Sequence, residues 1–133
     1  EKYAPVVSWT TIRMMLCMSL HKGWATRQVD FSNAFVQAKL NEEVHIELPS
    51  GFGDPDTSNS VLKLDRSLYG LVQAPMYWYL HLKQSLEENE FVVSNFDPCM
   101  FYGKGMVILV YVDYCLFFVP DFRKFDDFIL AVV

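Results

Sequence analysis

Toward its end the sequence runs Met106-Val107-Ile108-Leu109-Val110-Tyr111-Val112, then Asp113-Tyr114, then Cys115-Leu116-Phe117-Phe118-Val119. Two apolar, β-prone runs with only two residues between them predict an antiparallel hairpin with a tight turn at Asp113-Tyr114. A third run, Met100 to Tyr102, precedes them across a Gly103-Lys104-Gly105 turn. Strands this apolar are unsuited to a sheet edge, so the hairpin must sit inside a sheet and be covered. The composition allows it. At 52% hydrophobic and 16% aromatic, the 133 residues exclude intrinsic disorder and suffice for one domain or part of one. The longest unbroken apolar run is the seven residues Met106 to Val112, far below the roughly 18 to 20 of a membrane-spanning helix. No membrane span is expected.

The rest of the chain supplies the cover. Thr10 or Thr11 can cap a helix whose residues Ile12, Met15, Leu16 and Leu20 fall at helical spacing, with Gly23 as its stop. Trp24 to Val29 reads as a strand ending at Asp30, followed by a short helical or turn segment through Phe35 and strands near Val44 to Leu48 and Val61 to Leu64. The stretch Pro49 to Ser60, rich in Gly, Pro, Asp, Ser and Asn, reads as an exposed loop. Pro75 suits the first turn of a second amphipathic helix through Tyr79, Leu82 and Leu86 to Asn89. Asp121 can cap a last helix that stays apolar to Val133, which implies further chain for it to pack on. The order predicts an α+β fold, helices on one face of a mainly antiparallel sheet, of which the split βαβ palm is one form.

Charge and cysteine content narrow the function. Eleven Lys plus Arg against 16 Asp plus Glu give a net charge of −5, which disfavours a free-standing grip on nucleic acid, since that affinity comes from neutralised phosphates. Cys17, Cys99 and Cys115 lack the spacing of a disulfide framework or zinc site and read as reduced, mostly buried thiols. His21, His45 and His81 have no metal-ligand spacing, and Glu87-Glu88-Asn89-Glu90 reads as a solvated helix end. The opening residues from Glu1 show no signal-peptide pattern, so secretion is not expected, and the chain reads as cut at both ends.

Two aspartates stand where chemistry could be placed. Asp30 ends one apolar strand and Asp113 interrupts the hairpin. A carboxylate at a buried strand tip is costly unless paired, capped or bound to a cation, although Asp also serves as a plain solvated turn residue. If the two converge, they suit Mg²⁺, which is held by one or two carboxylates and substrate phosphates.

Five segments then act together: Tyr3-Ala4-Pro5-Val6-Val7, Val29-Asp30-Phe31-Ser32-Asn33-Ala34-Phe35, Leu48-Pro49-Ser50-Gly51-Phe52, Ser67-Leu68-Tyr69-Gly70-Leu71-Val72-Gln73-Ala74-Pro75 and Tyr111-Val112-Asp113. In order and spacing this set resembles the reverse transcriptase of copia-type LTR retrotransposons, over essentially the whole chain. The resemblance implies that residues 1–133 are the palm and part of the fingers of a right-hand polymerase, with upstream fingers and downstream thumb and RNase H absent. It implies Asp30 and Asp113 as catalytic carboxylates of a site for two Mg²⁺ ions about 3.5 to 4 Å apart. It makes Phe35 the aromatic gate beneath the incoming sugar, plain core being the rival reading, and places Gln73, with Tyr69 and Gly70 shaping its loop, beside nucleotide and template. Trp78 and Tyr79 read as core. The implied partners are an RNA or DNA template-primer and dNTP, and the implied location is intracellular, in cytoplasmic particles and the nucleus.

Three positions depart from the family pattern. Tyr114 stands where the family has a second Asp, and a neutral phenol is a poor Mg²⁺ ligand; a bulky residue at a tight turn is also expected to be strained. Val72 replaces a usual Lys and Met76 a usual Arg, removing two positive charges. The chain therefore reads as an inactive, decayed polymerase fragment; a non-catalytic remnant that binds nucleic acid or a cation, or is purely structural, is the alternative, and chance similarity of an unrelated acidic α+β domain is a third.

Overall fold

The computed structural model describes residues 3–52 and 60–132, so most of the Pro49 to Ser60 loop lies outside the described residues. Helix α1 (Trp9–Lys22) leads into strand β1 (Ala25–Asp30), the one-turn helix α2 (Ala34–Gln37), strands β2 (His45–Glu47) and β3 (Val61–Lys63), and helix α3 (Ala74–Glu88). Strands β4 (Val92–Val93), β5 (Met100–Gly103), β6 (Met106–Tyr111) and β7 (Tyr114–Val119) follow, then helix α4 (Phe122–Val132). The predicted mixed α and β composition with an antiparallel sheet is present.

The main sheet has the order β1-β7-β6-β5-β4, with every neighbouring pair antiparallel, and β2 with β3 forms a separate two-stranded sheet. Because β1 and β6 both run against β7, they are parallel to each other with β7 between them. The β6–β7 hairpin is thus interior, as its apolar sequence requires. Residues Met106 to Val110 are all buried, and so are Cys115 and Phe117 to Val119. Consecutive strand residues point to opposite faces, so both faces of this sheet are covered, not one as the sequence suggests. Phe125 and Phe128 of α4 meet Phe117 at ring distances of 5.1 and 5.9 Å. On the opposite face Val7 and Ile12 line an open pocket of about 140 Å³ together with Leu109 and Leu116. The physical reason is that unbroken apolar strands, unlike alternating ones, expose hydrocarbon on either side unless two layers pack on them. Each buried Phe contributes about 1.5–3 kcal/mol, and Phe91, Phe101, Phe117 and Phe118 all lie at 2% exposure or less.

Two local details differ from the sequence expectation. The cap of α1 is Ser8, whose hydroxyl accepts the Thr11 N–H at 3.1 Å, and not Thr10 or Thr11. Its buried face runs through Thr11, Met15 and Ser19, which leaves Leu16 and Leu20 exposed. Thr11 is buried because its hydroxyl donates to Asp97, at 2.6 Å; that carboxylate also accepts the N–H groups of Ser8, at 3.0 Å, and Cys99, at 2.9 Å. The start of α1 is thereby pinned to the start of β5. Gly23 ends α1 at φ 66° as expected, and Asp121 caps α4 by accepting the Arg123 N–H at 3.0 Å.

Candidate active site

The end of β1 and the tip of the β6–β7 hairpin come together. Register places Asp30 opposite Tyr114 and Val29 opposite Cys115, and just beyond the ladder the Phe31 N–H donates to the Asp113 carbonyl at 3.0 Å. Two aspartates more than eighty residues apart in sequence therefore occupy adjoining strand ends. Asp30 is exposed and Asp113 half-buried. Directly paired residues in antiparallel strands share a face, so the Tyr114 side chain stands beside Asp30, with Tyr111 next in the same row.

The turn itself is Val112-Asp113 and not Asp113-Tyr114. Val112 has φ 56°. A positive φ at a central residue is what the tight turns of two-residue hairpins require to match the right-handed strand twist. The strain expected at Tyr114 is absent, because that residue is the first of β7; the strain sits on Val112, a β-branched side chain in the left-handed region. The indole N–H of Trp78 donates to the Val112 carbonyl at 2.8 Å and so anchors the turn to α3. Phe31 packs on the same indole at 5.4 Å between ring centres. Trp78 is buried core, as expected, and so is Tyr79, whose hydroxyl donates to the Pro98 carbonyl at 2.8 Å. The anchoring bond is the site feature that sequence reasoning misses, since a buried tryptophan in a helix carries no sign of where its N–H points.

A second group of expected residues lies where α2 meets α3. Phe35 is buried in α2, and its ring rests 4.4 Å from that of the exposed Tyr69. Gly70 adopts φ 95° in the turn closed by the Leu71 N–H and the Leu68 carbonyl, a type II position that requires glycine. Gln73 is half-buried at the cap position of α3, and its side chain makes no capping bond. Val72 is exposed, whereas Met76 lines an apolar groove of about 620 Å³ with Tyr3, Ala4, Pro5, Tyr79, Leu80 and Pro98.

The thiols are chemically quiet. Burial pushes Cys99 and Cys115 each up to about 12, with Asp97 adding to the effect on Cys99. Cys17, by contrast, is exposed, so two of the three cysteines are buried and all three are free. Among the described residues no group of three or more His, Cys, Asp or Glu is assembled that could hold a metal ion. No helix among them is long and apolar enough to cross a membrane.

Residues 1–132 match the family described as reverse transcriptase (RNA-dependent DNA polymerase). The retrovirus-related Pol polyprotein from transposon RE1 of Arabidopsis thaliana is 43% identical over 117 residues, 85% of this chain and 8% of that polyprotein. The corresponding RE2 polyprotein is 39% identical over 117 residues, again 85% and 8%. That of transposon TNT 1-94 of Nicotiana tabacum is 33% identical over 118 residues, 85% of this chain and 9% of its own length. The chain thus spans less than a tenth of these polyproteins. No solved structure matches it significantly.

Proposed function

The chain belongs to the reverse transcriptase (RNA-dependent DNA polymerase) family, in the form carried by copia-type retrotransposons, and from that membership we propose that residues 1–133 form a polymerase palm with part of the fingers. The observation that carries the reading is the meeting of Asp30 and Asp113 at adjoining strand ends. The parallel pair β1 and β6, connected through α3 and separated by β7, supports a split βαβ palm.

Nucleotidyl transfer is mostly positioning and charge neutralisation, and the donor set decides how far this chain can perform it. Asp30 and Asp113 provide two carboxylates; Tyr114 provides a phenol where a third would stand. One Mg²⁺ ion could share such a pair with substrate phosphates. Two ions call for more anionic ligands than are present, so the residues do not fit a two-ion site. We infer that the polypeptide as given does not extend a primer, its rate being down by roughly a thousandfold or more from the lost charge stabilisation.

The remaining roles concern the substrate. Phe35, backed by Tyr69, offers a flat wall against which a 2′-hydroxyl would clash, selecting dNTP over rNTP. Gln73 keeps an uncommitted amide for nucleotide or template. Val72 and Met76 withhold the two cations that would grip phosphate. Template-primer, dNTP and other segments of the same polyprotein are the proposed partners, inside the cell.

The test is to complete the domain with the flanking polymerase segments of the RE1 relative and to measure Mg²⁺-dependent primer extension with and without Tyr114→Asp. The restored carboxylate should raise the rate by about three orders of magnitude. An unchanged rate would remove Tyr114 as the lesion. The second reading, a non-catalytic cation-binding remnant, is favoured by the retained Asp30–Asp113 pair and would be supported by cation binding without nucleotide binding.

A further inference from the structure

The turn that carries Asp113 is held from outside the sheet. Val112 keeps φ 56°, a conformation that a β-branched residue adopts only where its surroundings impose it. Trp78, in the second turn of α3 and 2% exposed, gives its indole N–H to the Val112 carbonyl at 2.8 Å. The next carbonyl along the turn, that of Asp113, accepts the Phe31 N–H at 3.0 Å. The Phe31 ring in turn packs on the Trp78 indole, with 5.4 Å between ring centres, and closes the circuit. These contacts join the residue after Asp30, the turn bearing Asp113 and a single side chain of α3. His81, one turn further along α3, meets the indole at 5.9 Å and limits its rotation. The β1–β7 ladder cannot supply this hold, because its last rung is Asp30 with Tyr114 and Asp113 lies beyond it.

We propose that Trp78 is a positioning residue for the carboxylate pair: its indole holds the strained turn and the Phe31 ring together, and so fixes Asp113 in relation to Asp30. It acts through the peptide groups that flank the two aspartates. A tryptophan kept only for bulk would be satisfied by any nearby carbonyl. This one bonds the carbonyl of the strained residue itself and carries the ring that follows the other aspartate. Freed of the indole, Val112 can relax toward an ordinary backbone conformation, and the relaxation moves the next residue, Asp113. An ion shared by two carboxylates tolerates little change in their separation, since ligands must be held to within about 0.5 Å. That last consequence rests on the polymerase reading, in which the pair shares an ion; the coupling of indole to turn does not.

The experiment uses the 133-residue chain with Mn²⁺ as the probe ion, its affinity read by water-proton relaxation and the amide exchange of Phe31 by NMR. Trp78→Phe keeps a ring but no donor, and should weaken Mn²⁺ binding and speed Phe31 exchange, each about tenfold. Gly103→Ala, a destabilising change at the β4–β5 approach, should alter neither. Val112→Gly removes the strain, so in its presence Trp78→Phe should cost less than about twofold, a coupling that lost packing alone would not produce. Phe31→Leu opens the circuit on its other side, should weaken Mn²⁺ binding in the same direction, and serves if Trp78→Phe does not fold. Unchanged Mn²⁺ affinity in Trp78→Phe overturns the positioning role, and so does a tenfold loss that persists in full alongside Val112→Gly. Asp30→Asn should itself weaken Mn²⁺ binding; if it does not, the shared-ion reading falls and the hold on the turn is decided by Phe31 exchange, unchanged exchange overturning it.

Discussion

Replacing Asp97 by Asn tests whether one buried carboxylate fastens the first helix to the sheet. Asp97 is 5% exposed and accepts three bonds, Oδ2 from Ser8 N–H and the Thr11 hydroxyl and Oδ1 from Cys99 N–H. An amide retains one acceptor. If it keeps Cys99, its NH₂ faces Ser8 and Thr11; the Thr11 hydroxyl can rotate to accept, but the Ser8 N–H cannot. One charge-assisted bond is lost and the other two weaken, a cost of about 2–4 kcal/mol. At about 3 °C per kcal/mol for a chain of this size, the melting temperature should fall by about 6–12 °C. Burial of Asp97 raises its affinity for a proton, but the bonds from Thr11, Ser8 and Cys99 outweigh it and hold the carboxyl below its ordinary value. The unfolded chain therefore takes up this proton first on acidification. The stabilising contribution is complete above the ordinary carboxylate range and disappears as pH falls through the depressed folded value. Melts followed by circular dichroism from neutral pH downward should show the wild-type advantage over Asp97→Asn constant and then shrinking. A drop under about 2 °C at neutral pH, or an advantage that grows with acid, would refute the argument.

Other perturbations have equally definite outcomes. Trp78→Phe keeps most of the ring but leaves the Val112 carbonyl without its donor, and should cost about 1–3 kcal/mol in urea titration. Gly103→Ala should cost about 1–3 kcal/mol, because an added Cβ would lie 2.6 Å from the Glu90 carbonyl oxygen and 3.0 Å from Phe91 Cα; a neutral result in the same titration would show that the β4–β5 approach relaxes freely. Iodoacetamide at neutral pH should modify Cys17 alone, with Cys99 and Cys115 reacting only in denaturant, as read by intact mass.

The hairpin and the two long helices were legible in the residues, because apolar runs and helical spacing are local signals; that Asp30 and Asp113 occupy adjoining strand ends was implied only by the resemblance, since each residue alone also reads as a solvated turn aspartate. What was not legible depended on tertiary partners. Leu16 and Leu20 have the spacing of a buried face, yet Thr11 and Ser19 occupy it, since Asp97 supplies a bond that makes a buried Thr favourable. The turn shifted by one residue because pairing Tyr111 with Tyr114 extends the ladder, and the gain outweighs the strain at Val112.

Tyr114 belongs to the strand and not to the turn, and it is 41% exposed beside Asp30. Folding and chemistry are therefore separable at this one position. An aromatic residue at a half-open strand site is, if anything, better suited to the ladder than the aspartate it would replace. Cellular triage inspects chains for instability and exposed core, and this change supplies neither. A copy bearing tyrosine would persist as well as one bearing aspartate, and on the proposed reading only nucleotidyl transfer would register the difference.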